Sequence, residues 1–229
     1  MFIQCEDYRS LFTPISRVNQ DNIRYYEVDE QKTIYPSVTS VISFISRKKF
    51  ADWRAKVGEE AANRKTKRAT TRGTNFHTLT EVYLQNKDYK LTSEYDIPLV
   101  HLMFSSAKGK LDEKITKIYQ QETQMYSDRL CLAGTVDLIC EFDGELAVVD
   151  FKTSEREKPE EWLEDYFVQL SAYWAMFAEK TGVSPKKLVV FLVAEDGSVQ
   201  IVERTNIMHY LTILSDYVDQ FIRYRDGSS

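Results

Sequence analysis

The chain has 229 residues, 43% of them hydrophobic and 28% charged, with a formal net charge of −5. That length suffices for one good core with helical additions, and eight glycines and five prolines argue against linkers or disordered tracts. No run of 18 apolar residues occurs, which argues against a membrane-spanning helix. Residues 1–10, with Cys5, Glu6, Asp7 and Arg9, read as neither a secretory nor a transit segment, so the expected location is cytoplasmic.

Residues 22–28 and 33–35 read as a small hairpin. Ser37, after Pro36, is a fitting N-cap for a helix from 38 to about 45. Residues 49 to about 70 read as a basic helical segment. A further helix is expected from 72 to about 85, with His77 and Glu81 on one face at i, i+4. Residues 98–113 read as a helix and 115–126 as a long alternating strand. A central hairpin follows, then a long helix over 159–180, strands at 188–194 and 199–202, and an amphipathic helix from 207 to about 224. From Arg47 to Arg72 ten basic residues face three acidic ones, a local charge of +7 that leaves −12 for the rest. Such a run suits a phosphate path, and it also suits a solvated helical face.

The chemistry concentrates in the central hairpin. Asp137 sits on one apolar strand, within Gly134-Thr135-Val136-Asp137-Leu138-Ile139. The next strand ends in Val148-Val149-Asp150-Phe151-Lys152-Thr153-Ser154, and the Asp143-Gly144 pair between them favours a tight reversal. Side chains alternate along a strand, so Asp150 and Lys152 share a face. Two carboxylates brought that close repel unless a cation lies between them, and a hard cation with oxygen ligands resolves the conflict. An ammonium beside such a cation suits phosphodiester hydrolysis by polarised water. Asp-x-Lys alone also occurs as a surface ion pair. The second Asp on the partner strand favours the nuclease site.

With these residues the chain resembles the PD-(D/E)xK nucleases, in particular their RecB-like branch. Two further signatures of that branch stand in the expected order: Gly73-Thr74-Asn75-Phe76-His77, and Gln169-Leu170-Ser171-Ala172-Tyr173. A finer likeness, through residues 35–42, Trp53 and Asp-Phe-Lys-Thr-Ser, is to the mitochondrial genome maintenance exonucleases and their phage-encoded relatives. The resemblance implies an α/β fold with a restriction-endonuclease-like core, a mixed central sheet flanked by helices, here with an N-terminal helical, basic extension. It implies one nuclease domain over 1–229, with 36–90 contributing to the DNA path and 115–203 forming the catalytic core.

It also implies roles. Asp137, Asp150 and Lys152 are the expected catalytic residues. His77, Asp137, Asp150 and the carbonyl of Phe151 are the expected ligands of Mg²⁺ or Mn²⁺, the imidazole suiting manganese better. Gln169 and Tyr173, one helical turn apart, are expected to face the DNA, as phosphate contact or base stack, or else to pack the core. Glu122 reads as either a residue reaching the metal through water or an exposed strand glutamate, and Glu81 as an outer neighbour of the metal. Ser37, Thr39, Arg72, Thr153 and Ser154 are further candidates for phosphate contacts. Cys5, Cys131 and Cys140 contain no Cys-x-x-Cys pair, so no iron–sulfur cluster is expected. The expected enzyme is a monomeric, metal-dependent exonuclease acting on DNA from free single-stranded ends, in replication, recombination or repair. An endonuclease and a non-catalytic DNA-binding subunit remain as alternatives.

Overall fold

The computed structural model describes residues 1–21, 23–89 and 97–227. Asn22 and residue 90, limits of two expected segments, lie outside the described residues. In chain order the elements are β1 (Ile3–Gln4), β2 (Ser16–Gln20), β3 (Ile23–Glu27), β4 (Ile34–Pro36), α1 (Val38–Val57), α2 (Glu59–Leu84) and α3 (Pro98–Lys114). There follow β5 (Ile115–Ser127), β6 (Leu132–Phe142), β7 (Glu145–Ser154), α4 (Glu164–Thr181), β8 (Lys187–Ala194), β9 (Val199–Arg204) and α5 (Ile207–Arg225).

Six strands form the central sheet in the order β1-β5-β6-β7-β8-β9, with β1–β5 and β7–β8 parallel and the other pairs antiparallel. The β6–β7 reversal is built as the Asp-Gly pair demands: Asp143 and Gly144 have φ of 50° and 76°, the double left-handed turn that matches strand twist. Lys187–Ala194 is buried along its whole length, as befits an apolar strand covered on both faces. One face of the sheet packs against α1, α4 and α5 through Val41, Val136, Val148, Phe167, Leu192 and Tyr210. The other packs against α2 and α3 through Phe76, Leu79, Met103, Leu138, Val149 and Phe191. This mixed sheet between helical layers is the expected fold class.

Three local expectations need correction. The N-terminal hairpin is a three-stranded sheet, β2-β3-β4, because Ser16–Gln20 pairs with Ile23–Glu27 although it carries little apolar alternation. The first helix does not stop near residue 45. It runs to Val57, and the helix expected to begin at Arg72 begins at Glu59. The break is Gly58, at φ 84° and ψ 146°, a conformation open to glycine and costly for other residues. The basic run is therefore shared between two helices. The helix expected from 159 begins instead with a short 3₁₀ turn, Glu160–Trp162, before α4.

Candidate active site

The site lies where the sheet forks. The β6–β7 ladder runs from Phe142↔Glu145 to Leu138↔Val149 and stops there. Beyond it β6 stays with β5 (Val136↔Thr123), and β7 stays with β8 through Ser154. Asp137 and Asp150 are the first residues past the fork. The parting strands leave the backbone of Phe151 without a partner on the β6 side, and side chains take its place. The Phe151 N–H donates to Asp137 Oδ2 at 2.8 Å, and His77 Nε2 lies 2.9 Å from the Phe151 carbonyl oxygen. Of the expected ligands, that carbonyl is thus engaged by His77.

The other imidazole nitrogen, Nδ1, is 3.6 Å from Asp137 Oδ2 and 3.8 Å from Glu122 Oε1. Ligand atoms of His77, Glu122 and Asp137 all lie within 4.8 Å of one another. Glu122 enters this cluster through its backbone. It has φ 46° in the middle of β5, a left-handed conformation that is strained for a glutamate and that re-aims its side chain. Nothing in the sequence around Glu122 signals that turn.

Asp150 sits to one side of the cluster and is 1% exposed. Its Oδ1 accepts from Gln169 Nε2 at 3.0 Å, and Lys152 Nζ lies 2.5 Å from Oδ2. The ammonium is therefore the charge-bearing partner of this buried oxygen. Burial raises the Asp150 carboxyl, Lys152 opposes and Asp137 adds to the rise, and the group is pushed up to about 6. Asp137 is likewise raised, by burial above all. Burial lowers His77, but Asp137 and Glu122 outweigh it and lift the imidazole to about 9. In the protein alone, the imidazolium proton therefore serves as the cation between two carboxylates.

These residues fit a divalent cation: a nitrogen and two carboxylates converge within one ion's reach, the donor set that such an ion takes.

The remaining candidates fall into two groups. Gln169 and Tyr173 face the fork, as expected for residues one turn apart, but both are buried. Gln169 Nε2 also lies 3.4 Å from the Tyr173 hydroxyl. Tyr173 is 2% exposed and packs on Gly134, where an added Cβ would lie 2.7 Å from its ring. The ring is thus closed off from stacking on a base. Ser37 is buried and caps α1, its Oγ accepting from Ser40 N–H at 3.0 Å. Arg72 is tied down by Glu195 and donates to Thr153 Oγ1 at 3.1 Å. Ser154 donates to the Arg156 carbonyl, and Glu81 accepts from Gln85 at 3.0 Å, outside the cluster. Thr39 lines an open groove with Arg24, Phe44 and Arg47. Phe50 and Trp53, stacked at 5.4 Å on α1 with Phe50 half exposed, form an aromatic pair among the basic residues whose i, i+3 spacing was visible in the sequence.

Comparison with known proteins defines the class. A family model of the PD-(D/E)XK nuclease superfamily matches residues 100–224, and the chain belongs to that superfamily. The matched span holds Asp137, Asp150, Lys152, Gln169 and Tyr173; His77 lies before it. The chain is 25% identical to human mitochondrial genome maintenance exonuclease 1 over 137 residues, covering 56% of this chain and 39% of that protein. The chain thus spans well under half the length of that relative. A crystal structure from Eubacterium rectale, of a protein assigned as an exonuclease, superposes with a TM-score of 0.48 at 12% identity over 69% of each chain. No helix among the described residues is long and apolar enough to cross a membrane.

Proposed function

We propose that this nuclease hydrolyses DNA from free single-stranded ends, with one or two divalent cations, Mg²⁺ or Mn²⁺, bound in the fork. The convergence of His77, Glu122 and Asp137 beside the Asp150–Lys152 pair carries this reading. His77 Nδ1, Asp137 and Glu122 would hold the cation, with the Asp150 carboxylate beside them to complete the site. The cation supplies charge neutralisation at the scissile phosphate and a more acidic water. Lys152, held by Asp150 and by burial against Tyr166, positions that water and stays protonated, since Asp150 and Asp137 raise it despite burial. Gln169 fixes Asp150, and Tyr173 fixes Gln169 over Gly134.

The exonuclease reading draws support from the name of the human relative. The basic faces of α1 and α2, with the Phe50–Trp53 pair, suit a single strand, whose phosphates meet cations and whose bases stack on rings. The working form proposed is a cytoplasmic monomer of one domain, with a role in DNA replication, recombination or repair.

The test is cleavage of end-labelled linear single-stranded DNA, blunt duplex and circular single-stranded DNA with Mg²⁺ or Mn²⁺. Linear single strands are expected to be degraded and circles spared. Lys152→Ala should lower the rate by roughly 10²–10³-fold, as for loss of one group that stabilises transition-state charge. Cutting of the circle would make the enzyme an endonuclease. Full activity in Lys152→Ala would remove this site from the reaction.

A further inference from the structure

α2 passes the cluster at His77. Its basic residues Arg64 to Arg72 lie before that point, and Gln85 lies about 12 Å beyond it along the helix axis. On this far side two adjoining grooves border β5. One, of about 570 Å³, is lined by Gln4, Arg9, Gln85, Lys87, Gln120 and Gln121 among others. The next, of about 400 Å³, is lined by Arg17, Glu122, Gln124 and Thr135. They share Phe12 and Thr123, and the second reaches the metal cluster at Glu122.

The first groove holds an amide whose hydrogen bonds are incomplete. Gln120 is 4% exposed, its Oε1 accepts from the Thr123 hydroxyl at 3.0 Å, and its Nε2 has no partner. Turning the amide over would satisfy one polar atom with Thr123 and leave the other without a partner. The neighbouring amides are engaged. Gln121 donates to the Glu81 carbonyl at 3.1 Å, Gln4 to the Leu84 carbonyl at 2.7 Å, and Gln85 to Glu81 at 3.0 Å. Gln124 accepts from Ile15 N–H at 2.9 Å. Buried polar groups in folded proteins are nearly always hydrogen-bonded, and an exception in a groove points to a ligand. Lys87 and Arg17 add positive charge along the grooves, joined by Arg9, which pairs with the exposed Glu6 at 2.9 Å, so the fitting ligand is anionic and carries hydrogen-bonding oxygens.

We infer that the β5 grooves bind the single-stranded polynucleotide on the side of the scissile phosphate away from the basic half of α2. Phosphates lie by Arg9, Lys87 and Arg17, and a phosphate or base oxygen meets the Gln120 amide. Consecutive residues then serve both tasks: the left-handed turn at Glu122 sends that carboxylate to the cluster, while Gln120, Gln121 and Thr123 face the strand. This rests on the nuclease reading, since it assigns the substrate on one flank of the same site.

The test uses the full chain carrying Lys152→Ala and a fluorescein-labelled single-stranded oligonucleotide, followed by anisotropy. Adding Gln120→Leu removes the amide at nearly constant volume, and adding Arg9→Ala with Lys87→Ala removes exposed charges with little risk to the fold. Each is expected to weaken binding roughly fivefold, the scale of a hydrogen bond or two, with the thermal midpoint unchanged or raised for Gln120→Leu. In the enzyme with Lys152 intact, the same changes should raise KM and alter the product lengths on a denaturing gel. Unchanged binding, KM and product lengths in both variants would overturn the assignment. If Gln120→Leu lowers the thermal midpoint, the Arg9/Lys87 pair decides alone. If the unmodified enzyme cuts nothing, the functional reading fails, and the anisotropy comparison still decides whether the grooves bind a strand.

Discussion

The fork between β6 and β7 and the basic half of α2 both gather charge, under opposite conditions. In the fork, Asp150 is buried and every ionised group faces another: Asp150 with Lys152, and His77 with Asp137 and Glu122. Along α2, Arg64, Lys65 and Lys67 are exposed, and the Arg64–Glu60 pair stands in water on the helix surface. Burial makes the fork a set of interdependent charges, where removing one alters the protonation of the rest. Water and salt make the helix a set of nearly independent charges. Chemistry needs the first arrangement and capture of a polyanion the second.

The largest expected effect comes from disturbing the packing that holds the fork. Gly134→Ala would place a methyl 2.7 Å from the Tyr173 ring and 3.0 Å from its hydroxyl. It should cost ~1–3 kcal/mol in urea unfolding and reduce cleavage through displacement of Gln169. An unchanged midpoint would mean that Tyr173 is free to move and that the fork is less rigid than its burial implies.

A second test separates interdependent from independent charge through pH. In EDTA, His77 holds its proton to about 9 when folded, against 6.5 for an ordinary imidazole. Between these values the folded state binds more protons than the unfolded state, so this contribution is complete below 6.5 and fades as pH rises through about 9. Unfolding free energies measured across that window should fall more steeply for the unmodified protein than for His77→Ala. Parallel curves would sink the ion-pair reading of the imidazole.

The smallest effect is expected on the helix. Oligonucleotide affinity should fall linearly with the logarithm of salt concentration. Each of Arg64→Gln, Lys65→Gln and Lys67→Gln should reduce that slope by ~0.7 if its cation meets a phosphate, with the effects adding. A slope indifferent to all three would mark this face as merely solvated.

Much of the site was legible in the sequence because its signals are local. Asp-Gly fixes the reversal, alternation puts Asp150 and Lys152 on one face, and helical spacing brings Gln169 and Tyr173 together. The limits of α3, β5 and α5 followed from periodicity to within a residue or two. Gly58 is also a local signal, since a lone glycine in a basic helical run marks a break, and the helices part there and not at residues 45 to 49 or 70 to 72.

By itself, then, the sequence determined the Asp-bearing hairpin, the α/β class and the candidate residues for the site. Tertiary structure decided which of them meet. His77 reaches Phe151 across 74 residues, and Glu122 joins the cluster through a left-handed turn where periodicity announces only a strand. The sheet's fork, which frees the Phe151 backbone for Asp137 and His77, arises because β6 and β7 follow different neighbours. Burial of Tyr173 and capping by Ser37 likewise turn two candidate DNA contacts inward. Such outcomes depend on which surfaces pack together over the whole chain, and no window of neighbouring residues encodes them.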